Sequence, residues 1–158
     1  MRKSLSEGEE KERSFKVRTI SFSDLRRLFE IERVSFSSPW TMEALRTQIA
    51  APFSLNLLIE VNGEVAGYIM SLIVSNECHI LNFAIDPGFR KRGYGSELLG
   101  STLSILKKRD VKHVFLEVRE RNLPAIHLYL KSGFKIIGRR KRYYEDSGED
   151  ALIMHLEL

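Results

Sequence analysis

The sequence predicts a mixed α/β domain, and three observations carry that prediction. From residue 15 onward the spacing of apolar residues alternates between a period of two and one of 3.6, the marks of strands and helices. Asn62-Gly63, a favoured two-residue hairpin turn, separates two strand-like apolar runs. The chain has 158 residues, 43% of them apolar, which suits one full core and argues against a second.

The elements follow in order. Residues 1 to 14 hold four cations and four glutamates with one aliphatic residue, Leu5, beyond the first Met, so they are expected to form a flexible charged tail. One domain is expected over residues 15 to 158. "FKVRTI" (15 to 20) alternates as a strand. Ser23-Asp24 then caps a helix with Leu25, Leu28, Phe29 and Phe36 along one side, ended by Pro39. A short helix from Thr41 to about Ala50 precedes "LNLLIE" and "EVAGYIMSLIV", the two arms of the hairpin. "CHILNFAID" is the next strand. Leu98, Leu99, Thr102, Leu103 and Leu106 recur at helical spacing, and Lys107, Lys108 and Arg109 fall in the last turn, where the helix dipole favours cations. "HVFLEVR" follows as a strand of buried type, and Asn122 caps a helix that Gly133 stops. "FKIIGRRKRYY" and "ALIMHLEL" are the last two strands.

Composition narrows the function. The net charge is +4, from 25 cations and 21 anions, too balanced for a dedicated nucleic-acid binder. Seven of the 25 cations fall in two runs, Arg90 to Arg92 and Arg139 to Arg142, so the positive field is local and suits a small polyanion. Cys78 is the only cysteine, which excludes an intramolecular disulfide and fits a reducing, cytoplasmic setting. His79, His113, His127 and His155 share no metal-ligand spacing, and no metal is expected. The apolar stretches are far shorter than the ~20 residues of a membrane helix, and the opening residues lack the apolar core of a signal peptide.

"DPGFRKRGYGSELL" (86 to 99) places three cations and two spaced glycines between a strand and a helix. It matches neither a P-loop nor a dinucleotide fingerprint, because position 98 is Leu and no Lys-Ser follows. What remains is Arg90-x-x-Gly93-x-Gly95 at a helix N-terminus, where free N–H groups and the dipole bind phosphate oxygens. A solvated loop with two turn glycines is the alternative.

Four segments, "FSSPW" (36 to 40), "LNFAIDPGFRKRGYGSELL" (81 to 99), "FLEVRERNLPAIHLYLKSGF" (115 to 134) and "RRKRYYEDSGEDALIMHLEL" (139 to 158), resemble the GNAT acyltransferases, and closely their RimI-type protein N-terminal acetyltransferases. The resemblance covers about residues 15 to 158. It implies a mostly antiparallel central sheet flanked by helices, with strands splayed at an acetyl-CoA site. Acetyl-CoA is then the co-substrate, and a protein N-terminus, that of a ribosomal protein among the candidates, is the acceptor. The resemblance places Phe83, Ala84 and Ile85 along the pantetheine arm. Arg90, Lys91, Arg92, Gly93, Tyr94, Gly95 and Ser96 would hold the pyrophosphate, and Asn122 would contact the co-substrate beyond capping its helix. Trp40, Tyr143 and Tyr144 match the acceptor-peptide loops, with core packing the alternative for Trp40.

Attack on a thioester needs a neutral amine. At pH 7 about 14% of an α-amine with a pKa near 7.8 is neutral, against about 0.04% of a lysine near 10.4, so a modest base suffices for an N-terminus. Alternation in "HVFLEVR" puts Phe115, Glu117 and Arg119 on one face, and a carboxylate inside an apolar strand is unusual. By the resemblance Glu117 is the proton acceptor; a structural pairing with Arg119 or Arg121 is its alternative. Partial burial is expected to raise its pKa. Tyr129 is the acid candidate for the departing thiolate, with an aromatic core contact as the alternative. Glu32 is a lesser second base, read first as a salt-bridged surface residue. A non-catalytic CoA- or RNA-binding module would need the cationic loop but not a base and an acid. Acetylation of lysine or of small amines also stays open, since the fold alone does not choose the acceptor.

Overall fold

The computed structural model describes residues 14–158. The tail expected over residues 1 to 14 therefore lies outside the described residues except for Ser14, whose carbonyl accepts the Asn62 N–H. Strands β1 (Phe15–Thr19), β2 (Ser54–Val61), β3 (Glu64–Val74), β4 (Glu77–Ile85), β5 (His113–Arg119), β6 (Lys135–Arg140) and β7 (Ala151–Glu157) form one sheet. Its order is β1-β2-β3-β4-β5-β7-β6. Every neighbouring pair is antiparallel except β4 with β5. The helices are α1 (Leu25–Ser35), α2 (Met42–Ala50), α3 (Tyr94–Lys108) and α4 (Leu123–Lys131). None of the described helices is long and apolar enough to cross a membrane.

The sheet's two faces have separate cores. Helices α1 and α2 cover the first, where Leu28, Ile31 and Leu45 pack against Leu58, Tyr68 and Met70. Helices α3 and α4 cover the second, where Leu98, Leu99, Leu106, Ile126 and Tyr129 pack against Ile59, Ile69, Val114, Leu116 and Met154. A fully buried aliphatic side chain contributes about 1.5–3 kcal/mol, so both layers are held firmly.

Local chemistry explains the boundaries. Asn62 and Gly63 both have positive φ, 51° and 81°, as the predicted hairpin turn demands. Thr41 and Asn122 cap α2 and α4 by accepting the N–H groups of Ala44 and Ala125, and Gly133 ends α4 with φ 101°.

Three expectations need correction. The first helix is entered through a 3₁₀ turn, Phe22–Asp24, whose Asp24 carboxylate accepts the Ser21 N–H and binds Arg18 instead of acting with Ser23 as a simple cap. Its buried stripe is Leu25, Leu28, Ile31 and Glu32; Phe29 is half-buried and Phe36 lies past the last turn. Strand β6 stops at Arg140, four residues before Tyr144. Asp150 Oδ1 accepts the Arg142 N–H, Arg142 takes φ 52°, and Gly148 N–H bonds the Tyr144 carbonyl, so local bonds replace the ladder over residues 141–150.

Candidate active site

The site begins where the two parallel strands part. β4 and β5 pair only from Glu77 opposite His113 to Ile80 opposite Leu116, although both run on, to Ile85 and Arg119. A bulge on β4 marks the fork: β3 residues Met70 and Ser71 face Asn82 and Ile80, leaving Leu81 over. Beyond it the β5-facing edge of β4 has no strand partner among the described residues, and unpaired backbone groups there can bind an extended, amide-bearing ligand. Phe83 and Ile85 project to the α3–α4 side of the fork, whereas Ala84 points into the α1–α2 core. Only the backbone of Ala84 is therefore available to a ligand.

The Arg90–Ser96 segment forms the rim of the same fork. Gly93 has φ 86° at the N-cap of α3, and that helix, unlike α2 and α4, starts without a side-chain cap. Its first-turn N–H groups and dipole make an anion site. Lys91, in the left-handed region at φ 63°, and Arg92 are exposed beside it. Arg90 is turned away: its guanidinium donates to the Ile85 carbonyl at 2.8 Å and to Ser35 Oγ at 3.2 Å, which ties the loop to β4 and α1. The Tyr94 ring is buried between Phe15 and Phe89, so the residue offers only backbone to the rim. A Cβ on Gly95 would stand 3.4 Å from Leu128 Cδ2, 3.7 Å from Ile85 Cγ1 and 3.8 Å from Phe83 Cζ, so Gly95 faces the apolar side of the fork.

Glu117 stands on the α1–α2 face of β5, past the fork, where alternation puts it with Phe115 and Arg119. Its partners are neither Arg119 nor Arg121. His79 Nε2 lies 2.6 Å from Glu117 Oε2, and Arg140 Nε lies 3.7 Å from Oε1. The hydrogen bond to His79 holds the carboxyl below its ordinary range against an opposing desolvation, which reverses the expected upward shift. Arg119 instead forms a two-pronged pair with Asp146 and lies under the Tyr144 ring, 4.0 Å from its centre.

Tyr129 approaches from the opposite, α4 side. Its ring packs between Phe83 and Phe134, at 6.2 and 5.6 Å between ring centres. The residue is only 6% exposed, yet no buried side-chain oxygen or nitrogen among the described residues lacks a partner. The Tyr129 hydroxyl has no protein hydrogen bond among them, so the hydroxyl itself meets solvent in the fork. Burial pushes its pKa up, and the Tyr144 phenol acts in the same direction. Tyr144, whose own pKa burial pushes up to about 12, also feels the Glu117 carboxylate, so it stands near both groups. The fork thus joins a carboxylate with an imidazole on one face to a phenol on the other.

Glu32 is not on the surface and has no cationic partner among the described residues. It is 1% exposed and accepts hydrogen bonds from the Trp40 N–H at 2.9 Å, from Asn82 Nδ2 at 2.8 Å and from the Tyr68 hydroxyl. This carboxylate anchors the segment carrying Trp40, whose half-buried ring packs on the α1–α2 core. Ser37 in the same segment donates to Asp146 at 2.6 Å, joining the 36–41 loop to the 141–150 loop beside Glu117. Tyr143 is exposed with its ring edge-on to Tyr144, and Asn122 is engaged as the α4 cap.

The profile of the acetyltransferase (GNAT) family matches residues 25–134. The chain belongs to that family. It is 41% identical over 139 residues to a putative ribosomal protein bS18-alanine N-acetyltransferase of Bacillus subtilis, spanning 87% of this chain and 92% of the relative. It is 32% identical over 144 residues to the ribosomal protein bS18-alanine N-acetyltransferase of Escherichia coli, spanning 90% and 97%. The crystal structure of the ribosomal-protein-S18-alanine N-acetyltransferase from Escherichia coli superposes with a TM-score of 0.86 over 91% of this chain and 94% of that one. The protein is an acetyl-CoA-dependent acetyltransferase.

The fork fits that co-substrate on its own chemistry. It offers an unpaired strand edge for amides, an uncapped helix start with exposed cations for phosphates, and the apolar side chains of Phe83, Ile85 and Leu128 for the arm between them. No group of three or more potential metal ligands occurs among the described residues. Sequence reasoning missed the part of His79, which it weighed only as a metal ligand. The signal lay in a pairing: His79 is opposite Phe115 across the parallel strands, two positions from Glu117, and only the sheet order reveals this. It also missed Tyr68 and Asn82, the buried partners that make Glu32 an anchor.

Proposed function

We propose that this acetyltransferase modifies the α-amino group of protein N-termini beginning with Ala or Ser, with the alanine of ribosomal protein bS18 its first candidate, in the cytoplasm. The observation that carries the reading is the fork itself, with a proton acceptor on one face and a phenol on the other. In this reading the backbone of Phe83, Ala84 and Ile85 holds the pantetheine amides, and Lys91 to Ser96 hold the pyrophosphate, with Arg90 bracing their loop. Asn122 sits at the edge of that site. Trp40, Tyr143 and Tyr144 border the acceptor groove.

Glu117 takes a proton from the acceptor nitrogen as it attacks the thioester carbonyl, forming the C–N bond. As the C–S bond breaks, Tyr129 donates its phenolic proton to the sulfur; the phenolate then regains a proton from solvent and Glu117 releases the one it took, which resets both groups. Its high pKa keeps it protonated until then, and contact with the developing thiolate drives the transfer. The relatives' names support the alanine acceptor, and the amine arithmetic supports an α-amine over lysine.

Peptides beginning with Ala or Ser should be acetylated on the α-nitrogen at least tenfold faster, by kcat/KM, than the same peptides with a blocked N-terminus and a free internal lysine. Mass spectrometry of a mixed panel decides this. Faster modification of the lysine, or turnover of spermidine with none of peptides, overturns the acceptor.

A further inference from the structure

We propose that the acceptor polypeptide, beyond its acetylated residue, lies on the open half of the sheet's α1–α2 face, with its third side chain on Phe115 and His155 and a cationic fifth side chain between Glu77 and Glu157. The inference deepens the N-terminal reading and rests on it, with the acceptor nitrogen at Glu117.

Helices α1 and α2 cover only part of their face. Their core draws on β2, β3 and β4 through Leu58, Tyr68, Met70 and Ala84, and among the described residues it has no member from β5, β7 or β6. The strand registers lay one continuous row across the uncovered half: Leu72, His79, Phe115, His155 and Lys135 stand opposite one another in turn on β3, β4, β5, β7 and β6. Residues paired in this way share a face. Leu72 and Phe115 are half-buried and belong to neither core. The middle of the row is an aromatic floor. The rings of Phe115 and His155 are 4.8 Å apart between centres, and His113 stacks 5.2 Å from His155 and shares a hydrogen bond with it, Nδ1 to Nε2, at 2.9 Å. One row farther on, the exposed Glu77 and Glu157 flank His113.

The surroundings of Glu117 set the direction in which the acceptor leaves it. Phe115, Glu117 and Arg119 succeed one another along this face of β5. On the Arg119 side the face is roofed: the Tyr144 ring covers the guanidinium, Asp146 binds it with both carboxylate oxygens, and Ser37 donates to the same Asp146 at 2.6 Å. On the Phe115 side lies the open row. An extended chain advances about 3.3 Å per residue and turns alternate side chains the same way, so from an α-nitrogen at Glu117 residue three falls over Phe115 and residue five over His113. A ring at residue three gains contact with Phe115 and His155, and a cation at residue five meets Glu77 and Glu157. Residues two and four face away from the sheet.

The test uses Ala-initiated heptapeptides, otherwise of serine, that carry one Phe at position three or four, or one Arg at position four or five. For the wild type, Phe at three should raise kcat/KM about tenfold over the serine peptide, mainly through KM, whereas Phe at four should change it by less than about twofold. Arg at five should gain about threefold and Arg at four nothing, with the gain lost in high salt. Phe115→Ala should abolish the preference for Phe at three while the serine peptide and the acetyl-CoA KM stay within about twofold of the wild type. The double variant Glu77→Gln, Glu157→Gln should abolish the preference for Arg at five and keep that for Phe at three. Equal rates with Phe at three and Phe at four in the wild type, a comparison that needs no variant, would overturn the proposal. So would a Phe115→Ala enzyme that slows the serine peptide as much as the Phe peptide, the sign of a residue that only supports the fold. Faster acetylation of an internal lysine, or a Glu117→Gln enzyme with wild-type rate, would overturn the underlying N-terminal reading, which is a different result.

Discussion

Glu117 and Tyr129 come from opposite faces of the sheet and have different surroundings, so each can be altered without disturbing the other. Glu117→Gln keeps the side-chain shape, and Tyr129→Phe keeps the ring contacts with Phe83 and Phe134. Each should lower kcat by about 10²-fold, the usual scale for losing an acid or a base, while acetyl-CoA affinity by calorimetry stays within a few-fold. Glu32 should behave differently, because three donors converge on its carboxylate. Glu32→Gln sets an amide against one of those donors, which should cost about 2–3 kcal/mol in urea unfolding. It should also raise the peptide KM more than the acetyl-CoA KM, through the Trp40 segment. A kcat loss as large as that of Glu117→Gln, with stability intact, would make Glu32 a proton acceptor instead of an anchor.

Among the elements, those set by local chemistry were legible in the sequence: the Asn62-Gly63 hairpin, the Asn122 cap and the Gly133 stop all follow from side chains within a few residues. The end of β6 was not legible, because "RRKRYY" reads as a strand until Asp150, eight residues on, captures the Arg142 N–H. The Leu81 bulge was not read either: the doubled apolar pair Ile80-Leu81 breaks the alternation in "HILNFAI", but that the extra residue is a bulge shows only against β3. That bulge matters to the site, as it turns His79 and Asn82 to one face and sits where β4 and β5 separate. Gly95 tests the fork as a binding element. Val at this position would push its methyl groups among Leu128, Ile85 and Phe83, where the reading puts the acetyl-CoA arm. Because Val suits a helix better than Gly, the fold should survive while acetyl-CoA affinity falls by more than tenfold. Gly100→Ala, on the same helix with nothing within 4 Å of the added Cβ, should leave affinity unchanged.

For the molecule as a whole, the sequence announced the strands and helices but not that β7 inserts between β5 and β6, a nonlocal pairing with no local signature. That insertion brings Arg140 and the 141–150 loop beside Glu117, on the side where the proposed function puts the acceptor. The α3 start and Tyr129 lie toward the other side, so in the proposed reading the two substrates occupy the enzyme together and meet at the gap. The one cysteine is not suited to carry the acetyl group between them: Cys78 is fully buried, and burial pushes its thiol pKa up, leaving little thiolate. Transfer should therefore be direct, from a complex holding both substrates. Double-reciprocal plots at several fixed peptide concentrations should intersect, CoA should compete with acetyl-CoA but not with peptide, and Cys78→Ala should retain activity. Parallel lines, together with an enzyme 42 Da heavier by intact mass after incubation with acetyl-CoA alone (the mass that acetylation adds), would instead require a covalent acetyl-enzyme and a nucleophile outside this pair of residues.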